Sequence, residues 1–509
     1  AAAQHALVDA VELFDAALIL TTSDPLTRFA VLREQNRVLR KTLELSRWQR
    51  NLAEQEEMLA SQAMDDPRLA LQWQIGRARY FGLTGDGVAA VAAAQAAVTL
   101  ATSLDDRAAL AESHWALGRG YWAQARLQTA GPILEQAAAY AREVGDDELE
   151  ADSLDMVAAT GMFSGMPMAS IRELLTAAYQ IAVRNGDKPR LASLHNKFGY
   201  AYVSIGMGDF ARAEEEYRRG IALARAIGER RIEEMLLSNL GVLFTVTGEY
   251  AQAHATLAAC LALGEADLGY WRSLVARHYL GAMWMQMGCL DAAQAELVHA
   301  SDHLNAVDHH HFEVKARCDL GLCHHLAGND RAAHAEFTRV LALIEDHGDL
   351  RFQALVNTRL GYVLEALGDV DGASRRYDHG YRLHRQMEQE FYALDALAGT
   401  ARLALRRGDH AAALSHAHAI WASIDGRETE ATVETARTLR TCYAIFCRHD
   451  DPHATAVLDA ACAQLRRRVA TIDDPVHAAQ FWQLDDHGFF RAAATSFPPQ
   501  ETPVKRTPR

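Results

Sequence analysis

Lysine is almost missing from this chain. It stands only at Lys41, Lys188, Lys197, Lys315 and Lys505, so the basic residues are nearly all arginine. That balance reads as the codon usage of a GC-rich genome rather than as chemistry. Positive charge is short as a whole: 51 Lys and Arg against 66 Asp and Glu give a formal net charge of −15. A surface that coats nucleic acid needs a basic stripe, and this balance argues against one. An acidic excess instead keeps a large surface soluble. No apolar run reaches the ~18–20 residues of a membrane span, and no signal-peptide pattern opens the chain. The cysteines are odd in number and scattered, at Cys260, Cys289, Cys318, Cys323, Cys442, Cys447 and Cys462. Most fall in helical stretches, which points to reduced, buried thiols in a cytoplasmic protein. Proline is scarce through the middle of the chain and no run alternates with strand period, so an all-α fold is expected.

Catalytic signatures are missing as well. Gly186-Asp187-Lys188 lacks the preceding glycine and the Ser/Thr of a phosphate-binding loop, and there is no Gly-x-Ser-x-Gly elbow or His-Glu-x-x-His helix. The chain therefore reads as non-enzymatic and free of cofactors. The densest metal-like group is His303, His309, His310, His311, Cys318, Cys323, His324 and His325. It holds neither Cys-x-x-Cys nor a spaced His pair, so solvated loop histidines and core thiols are preferred over structural zinc.

What the chain does have is a period. Leu240-Gly241 is followed by Gly248, Leu280-Gly281 by Gly288, Leu320-Gly321 by Gly328, and Leu360-Gly361 by Gly368, with 40 residues between successive units. The step extends upstream to Gly199 (with Gly206 and Gly208-Asp209), Ala159, Gly118 and Ala78 (with Gly85). Downstream it reaches Ala401 with Gly408 and, loosely, Thr441 with His449-Asp450; a weaker copy lies around Val38. An alanine stands five residues after the turn glycine, as in Gly248/Ala253 and Gly368/Ala373. Such a period marks a solenoid of helical hairpins. The first glycine lets helix A and helix B approach closely. The second ends helix A where φ > 0 is favoured, and the acid after it (Asp209, Glu249, Asp369, Asp409) sits at the positive end of helix B.

These residues resemble the tetratricopeptide repeat, with its Leu-Gly pair, its later alanine, and an aromatic after the turn acid in Asp209-Phe210 and Glu249-Tyr250. The family's usual unit is about 34 residues. The longer unit here is similar to those of bacterial peptide sensors and kinesin light chains. The resemblance implies a right-handed α-solenoid of about ten to eleven hairpins. It is organised as an N-terminal helical cap or connector over 1–64 with room for one degenerate repeat, a solenoid over 65–450, capping helices over 451–495 and a disordered tail over 496–509. Residues 25–62 carry a long charged helix pattern. Phe481, Trp482, Phe489 and Phe490 are placed to close the last hydrophobic layer. The opening Ala1-Ala2-Ala3, without methionine, reads as a piece of a larger polypeptide. Met162, Met166 and Met168 read as packing in the weakest repeat, where Pro167 can start helix B.

By family resemblance, helix A lines the concave groove and its variable positions make the contacts. With the Leu-Gly glycine at position eight, positions two, five, six, nine and twelve give Arg79, Trp115, Arg119, Trp122, Met156, Phe163, Asn196, Lys197 and Tyr200. They continue with Ser238, Asn239, Thr245, His278, Lys315, Asp319, Arg359, Tyr362 and Arg402. Aromatics and arginines are the usual anchors of binding surfaces, and asparagine can pair with a peptide backbone; for Trp115, Phe163 and Tyr200 a place in the inter-helix core is the open alternative. The expected role is a non-catalytic array that binds a peptide, protein or small-molecule effector in its groove. It resembles the sensor or regulatory repeat region of STAND, MalT-like or cyclase-linked bacterial signalling proteins; a free-standing scaffold is the alternative.

Overall fold

The computed structural model describes residues 2–496 apart from 43, 61–65, 85, 125, 205–208, 265–269, 307–309, 345–349, 388 and 425–433. Every described element is a helix, and the order is one of hairpins. Three helices come first: α1 (Ala2–Leu20), α2 (Pro25–Thr42) and α3 (Leu45–Leu59). Residues 25–62, expected as one long helix, are thus two. Glu44 takes a non-helical φ and ψ between them, and α3 turns Trp48, Asn51, Leu52 and Gln55 inward.

The A helices follow as α4 (Pro67–Thr84), α6 (Arg107–Ala123), α8 (Asp147–Ser164), α10 (Lys188–Ser204), α12 (Arg230–Thr247), α14 (Tyr270–Gln286), α16 (His310–Leu326), α18 (Leu350–Ala366), α20 (Glu390–Arg406) and α22 (Thr435–Arg448). The B helices are α5 (Gly87–Ser103), α7 (Leu127–Val144), α9 (Met168–Arg184), α11 (Phe210–Ile227), α13 (Tyr250–Leu263), α15 (Leu290–Ala306), α17 (Asp330–Ile344), α19 (Val370–Gln386), α21 (His410–Ile424) and α23 (His453–Val469). Two short helices end the described chain, α24 (Pro475–Phe481) and α25 (Asp485–Ser496). No described helix is long and apolar enough to cross a membrane.

The periodic glycines do the two jobs their spacing predicts. At Gly361 a Cβ would lie 2.4 Å from the Tyr377 ring of α19. The same approach recurs one unit earlier at Gly321 against Phe337 and two earlier at Gly281 against Leu297. A bare backbone here lets a large helix B residue, fully buried, press against helix A. At the hairpin turn, Gly368 takes φ +86°, which costs a residue with a Cβ about 1 kcal/mol or more. Asp369 then caps α19 by accepting from the Gly372 amide at 2.8 Å. In the loosest unit Asp450 takes the positive φ, at 51°; aspartate tolerates that region better than most residues. Gly85, Gly206 and Gly208 of the repeat pattern, and residues 497–509 of the expected tail, lie outside the described residues.

The chain divides into two compact units. The first holds Ala1–Lys197 with Asp346–Asp349, the second Phe198–Glu345 with Leu350–Arg509. A helices also pack on one another: α4 on α6 and α6 on α8 in the first unit, and α12, α14, α16, α18, α20 and α22 in succession in the second. No pair of successive B helices is as close. The A helices are therefore the crowded row of each stack.

Candidate functional sites on the A helices

In the second unit the A row is stitched by charged side chains that reach from one repeat to the next. Asp319 of α16 accepts from Arg359 of α18 at 2.8 Å and meets His278 of α14, also at 2.8 Å. Burial alone would raise the Asp319 carboxyl. The charge of Arg359 and the hydrogen bond from His278 outweigh it and hold the pKa down to about 2. One repeat on, Arg402 of α20 pairs with Glu365 of α18 at 3.0 Å and donates to Thr441 of α22 at 2.8 Å. Glu365 also accepts from the Tyr377 hydroxyl at 2.7 Å. Thr438 of α22 donates to Asp395 of α20 at 2.7 Å.

Asp319 carries a pH prediction. Its folded pKa lies below the ordinary value of 3.8. Its stabilising contribution is therefore complete above about pH 4 and is lost as pH falls through about 2. Urea denaturation between pH 5 and pH 2 should show wild type losing about 1–2 kcal/mol more than Asp319→Asn. Parallel pH curves for the two would mean that the rung is not an ion pair.

Of the groove positions expected in this unit, His278, Arg359 and Arg402 stand in these rungs. His278, Arg359 and Tyr362 are buried. The Arg437 guanidinium lies 4.0 Å from the Tyr362 ring centre, and Arg437 donates to Nε2 of His325 at 2.8 Å. Nδ1 of His325 faces Asp330 at 2.5 Å. Burial and Arg437 lower the pKa of His325, so it is a neutral imidazole with its proton on Nδ1. Lys315 is half-buried, with Nζ 5.1 Å from the Phe312 ring and 6.0 Å from those of Tyr279 and Phe352. Arg351 of α18 covers Tyr200, its guanidinium 5.4 Å from the ring centre and donating to the hydroxyl. Asn239 is half-buried on α12.

In the first unit Arg79 pairs with Glu112 at 3.0 Å. The buried Trp115 ring lies between Arg79, 5.7 Å away, and Arg119, 5.1 Å away. Trp122 meets Phe163 edge-on at 6.2 Å. Asn196 is buried, and Lys197 pairs with Asp155. The structure thus brings Arg79, Trp115 and Arg119 together, while Asn196 and Lys197 sit farther along the chain on α10.

Sequence reasoning missed a cavity in the second unit. After α23 the chain returns to the hairpin turns of units some 220 residues earlier. Arg468 donates to the Val246 carbonyl at 2.7 Å, and Thr471 donates to that of Gly248 at 2.7 Å. Cys289 donates to Gln480 at 3.0 Å. Phe481 is fully buried, its ring 6.3 Å from that of Tyr250. Between this returning segment and the A row lies a cavity of about 700 Å3. Glu365, Arg402 and Arg437 face it from one side, Arg468, Asp486 and His487 from the other. Burial pushes the carboxyl of Glu434, also on the wall, up to about 7. The aromatics at 481–490 signalled a cap, but no periodic pattern says which turns that cap will meet.

The His/Cys group near 303–325 is spread out. Burial pushes the Cys318 and Cys323 thiols up to about 11 and 12, so they are thiols rather than thiolates near pH 7. His303 bonds the His299 carbonyl at 2.8 Å. The side chains of His309, His310 and His311 lie outside the described residues. Among the described residues, His418, Asp451 and His453 bring three ligand atoms within 4.8 Å of one another. Asp451 already contacts both imidazoles, at 3.0 and 2.7 Å.

No protein-family model and no curated protein matches the chain. Solved structures do. NprR in complex with its cognate peptide NprX is 13% identical, covering 70% of this chain and 98% of its own, at a TM-score of 0.52. A Rap protein complexed with competence and sporulation factor is 14% identical over 81% of this chain and 99% of its own, at 0.46. A tetratricopeptide repeat protein from Parabacteroides merdae is 16% identical over 58% and 98%, at 0.31. At 13% identity the likeness to NprR is one of fold, and it agrees with the helical hairpins described above. The chain is an all-α solenoid of tetratricopeptide-type helical hairpins.

Proposed function

We propose that this chain is a non-catalytic sensing array that binds a peptide against the A row of its second unit. The observation that carries the reading is the cavity of about 700 Å3, walled by side chains of both signs. An extended peptide presents amide donors and acceptors along its length, and ionised ends or side chains of either sign. A charged, enclosed wall can pair with all of these while excluding water. Arg437, its guanidinium 4.0 Å from the buried Tyr362 ring centre, offers an anchor of the kind that dominates such interfaces. The peptide-bound NprR structure has the same fold over most of this chain, which supports the class of ligand. The resemblance of the long units to STAND and MalT-like repeat regions supports a place in the regulatory part of a larger bacterial signalling protein. The groove positions of the first unit, with Arg79, Trp115 and Arg119 together, supply a separate contact region.

Selection of displayed random peptides on the intact chain tests the reading. The expected result is a family of binders with micromolar affinity. Arg437→Ala should weaken them at least tenfold, and Arg218→Ala, on the exposed side of α11, should leave them unchanged. Binders indifferent to Arg437→Ala, or no binders at all, would remove the cavity from the role.

A further inference from the structure

Three arginines from three helices of the first unit lie near one indole, and two of them, Arg40 and Arg79, line the cavities beside it. They are Arg40 of α2, Arg79 of α4 and Arg119 of α6, and the indole is Trp115. The guanidinium carbons of Arg79 and Arg119 lie 5.7 and 5.1 Å from its ring centre. Two adjoining cavities open here, of about 220 and 320 Å3. Arg37, Arg40, Arg79 and Glu112 line both; Arg33 and Arg68 add further positive charge to the first, and Trp115 and Asp152 wall the second.

Most acids on the walls already have partners. Glu112 is taken by Arg79, and Asp152 by Arg190 at 2.5 Å. Asp106 and Asp146 cap α6 and α8 through the amides of Ala109 and Leu149. Glu148 is exposed to solvent. Arg40 has no hydrogen bond or ion pair among the described residues, and Arg119 has only the face of Trp115. Burial first, and repulsion from neighbouring arginines, lower the pKa of Arg40 and Arg119 against the attraction of Asp152. Two buried donors also lack any partner among the described residues: Nε of Arg79 and Nε1 of Trp115. Unpaired charge and orphaned donors cost stability unless a ligand meets them.

We propose that this pocket binds the phosphate group of a small ligand. After Glu112 is set against Arg79, Arg40 remains without an ion pair among the described residues, and Arg33, Arg37 and Arg68 stand on the same wall. A phosphate monoester is a dianion near pH 7. Its oxygens accept the planar fork of a guanidinium in pairs. The orphaned donors of Arg79 and Trp115 supply further hydrogen bonds to the same group. The site lies in the other unit from the peptide cavity, so either assignment stands or falls without the other.

The test uses the intact chain and inorganic phosphate in a chloride buffer of ordinary ionic strength. Calorimetry should show saturable binding of one phosphate, at least tenfold weaker in Arg40→Gln, with malonate binding far less tightly. Arg184→Gln, whose guanidinium is exposed, paired with Asp147 and on neither cavity wall, should change little. Melting gives a second reading. In phosphate-free buffer Arg40→Met should melt no lower than wild type, because it removes an unpaired charge. Phosphate should then raise the melting temperature of wild type and leave that of Arg40→Met where it was. Absent phosphate binding, malonate binding as tight as phosphate, or an Arg40→Met protein that melts lower without phosphate would each overturn the assignment.

Discussion

Gly361→Val is expected to destabilise the second unit by about 3 kcal/mol or more, the scale of a severe overpacking change. Even a Cβ at this position would stand 2.4 Å from the Tyr377 ring, well inside contact distance. Such a clash is cheap only where the neighbour can swing away, and Tyr377 cannot. The ring is fully buried between α18 and α20, and a Cβ on Gly399 of α20 would meet it at 2.4 Å from the other side. Its hydroxyl is fixed by Glu365 at 2.7 Å and Arg402 at 3.2 Å. Relief must therefore come from moving helix axes. Gly82→Ala is the matched control, since nothing lies within 4 Å of a Cβ there. In α4 it should be neutral or stabilise by up to about 1 kcal/mol. Chemical denaturation of the intact chain, followed by far-ultraviolet circular dichroism, measures both. A Gly361→Val protein within about 1 kcal/mol of wild type would show that the hairpins are not held at this spacing by the glycine.

Arg402→Met should cost about 3–5 kcal/mol, the range for stripping one partner from a buried ion pair. Glu365 is 4% exposed. Burial would raise its pKa, and Arg402 is the main reason that it is lowered instead. Without the guanidinium the carboxylate keeps the Tyr377 hydroxyl and the more exposed Arg406 at 3.3 Å, which is poor compensation. Thr441 loses its donor in the same step, so the joint between α20 and α22 weakens too. The decisive measurement is the double variant. Glu365→Gln combined with Arg402→Met should cost clearly less than the sum of the two singles, with a coupling of about 1–3 kcal/mol. Additive singles would mean that the two side chains do not act as a pair.

The hairpins were legible because their packing repeats. Gly281, Gly321 and Gly361 each face a large helix B residue, and one spatial constraint imposed at every unit leaves a periodic trace in the sequence. The role of the groove positions was only half legible. The register put His278, Asp319, Arg359 and Arg402 on one row, but whether a polar side chain faces solvent or its neighbour depends on the residue one unit away. Asp319 looks like a surface acid until Arg359 and His278 are brought to either side of it. Arg437 was missed because it belongs to position four of a loose unit, outside the positions scanned. The split between α2 and α3 was missed because neither Gly nor Pro marks it. The return of residues 468–481 to the turns near 248 and 288 leaves no local trace at all, since the two partners share no spacing.

That return has a consequence for how the second unit comes apart. A linear stack of hairpins unravels from its ends, because each terminal repeat has only one neighbour to lose. Here the last hairpin is joined through Arg468 and Thr471 to turns 222 and 223 residues earlier. Fraying of α23 must therefore break contacts with the middle of the stack as well as with α22. The closure adds long-range contacts to the native state, which slows assembly relative to an open array of the same length. Once formed, it removes the loose end from which stepwise unzipping would begin.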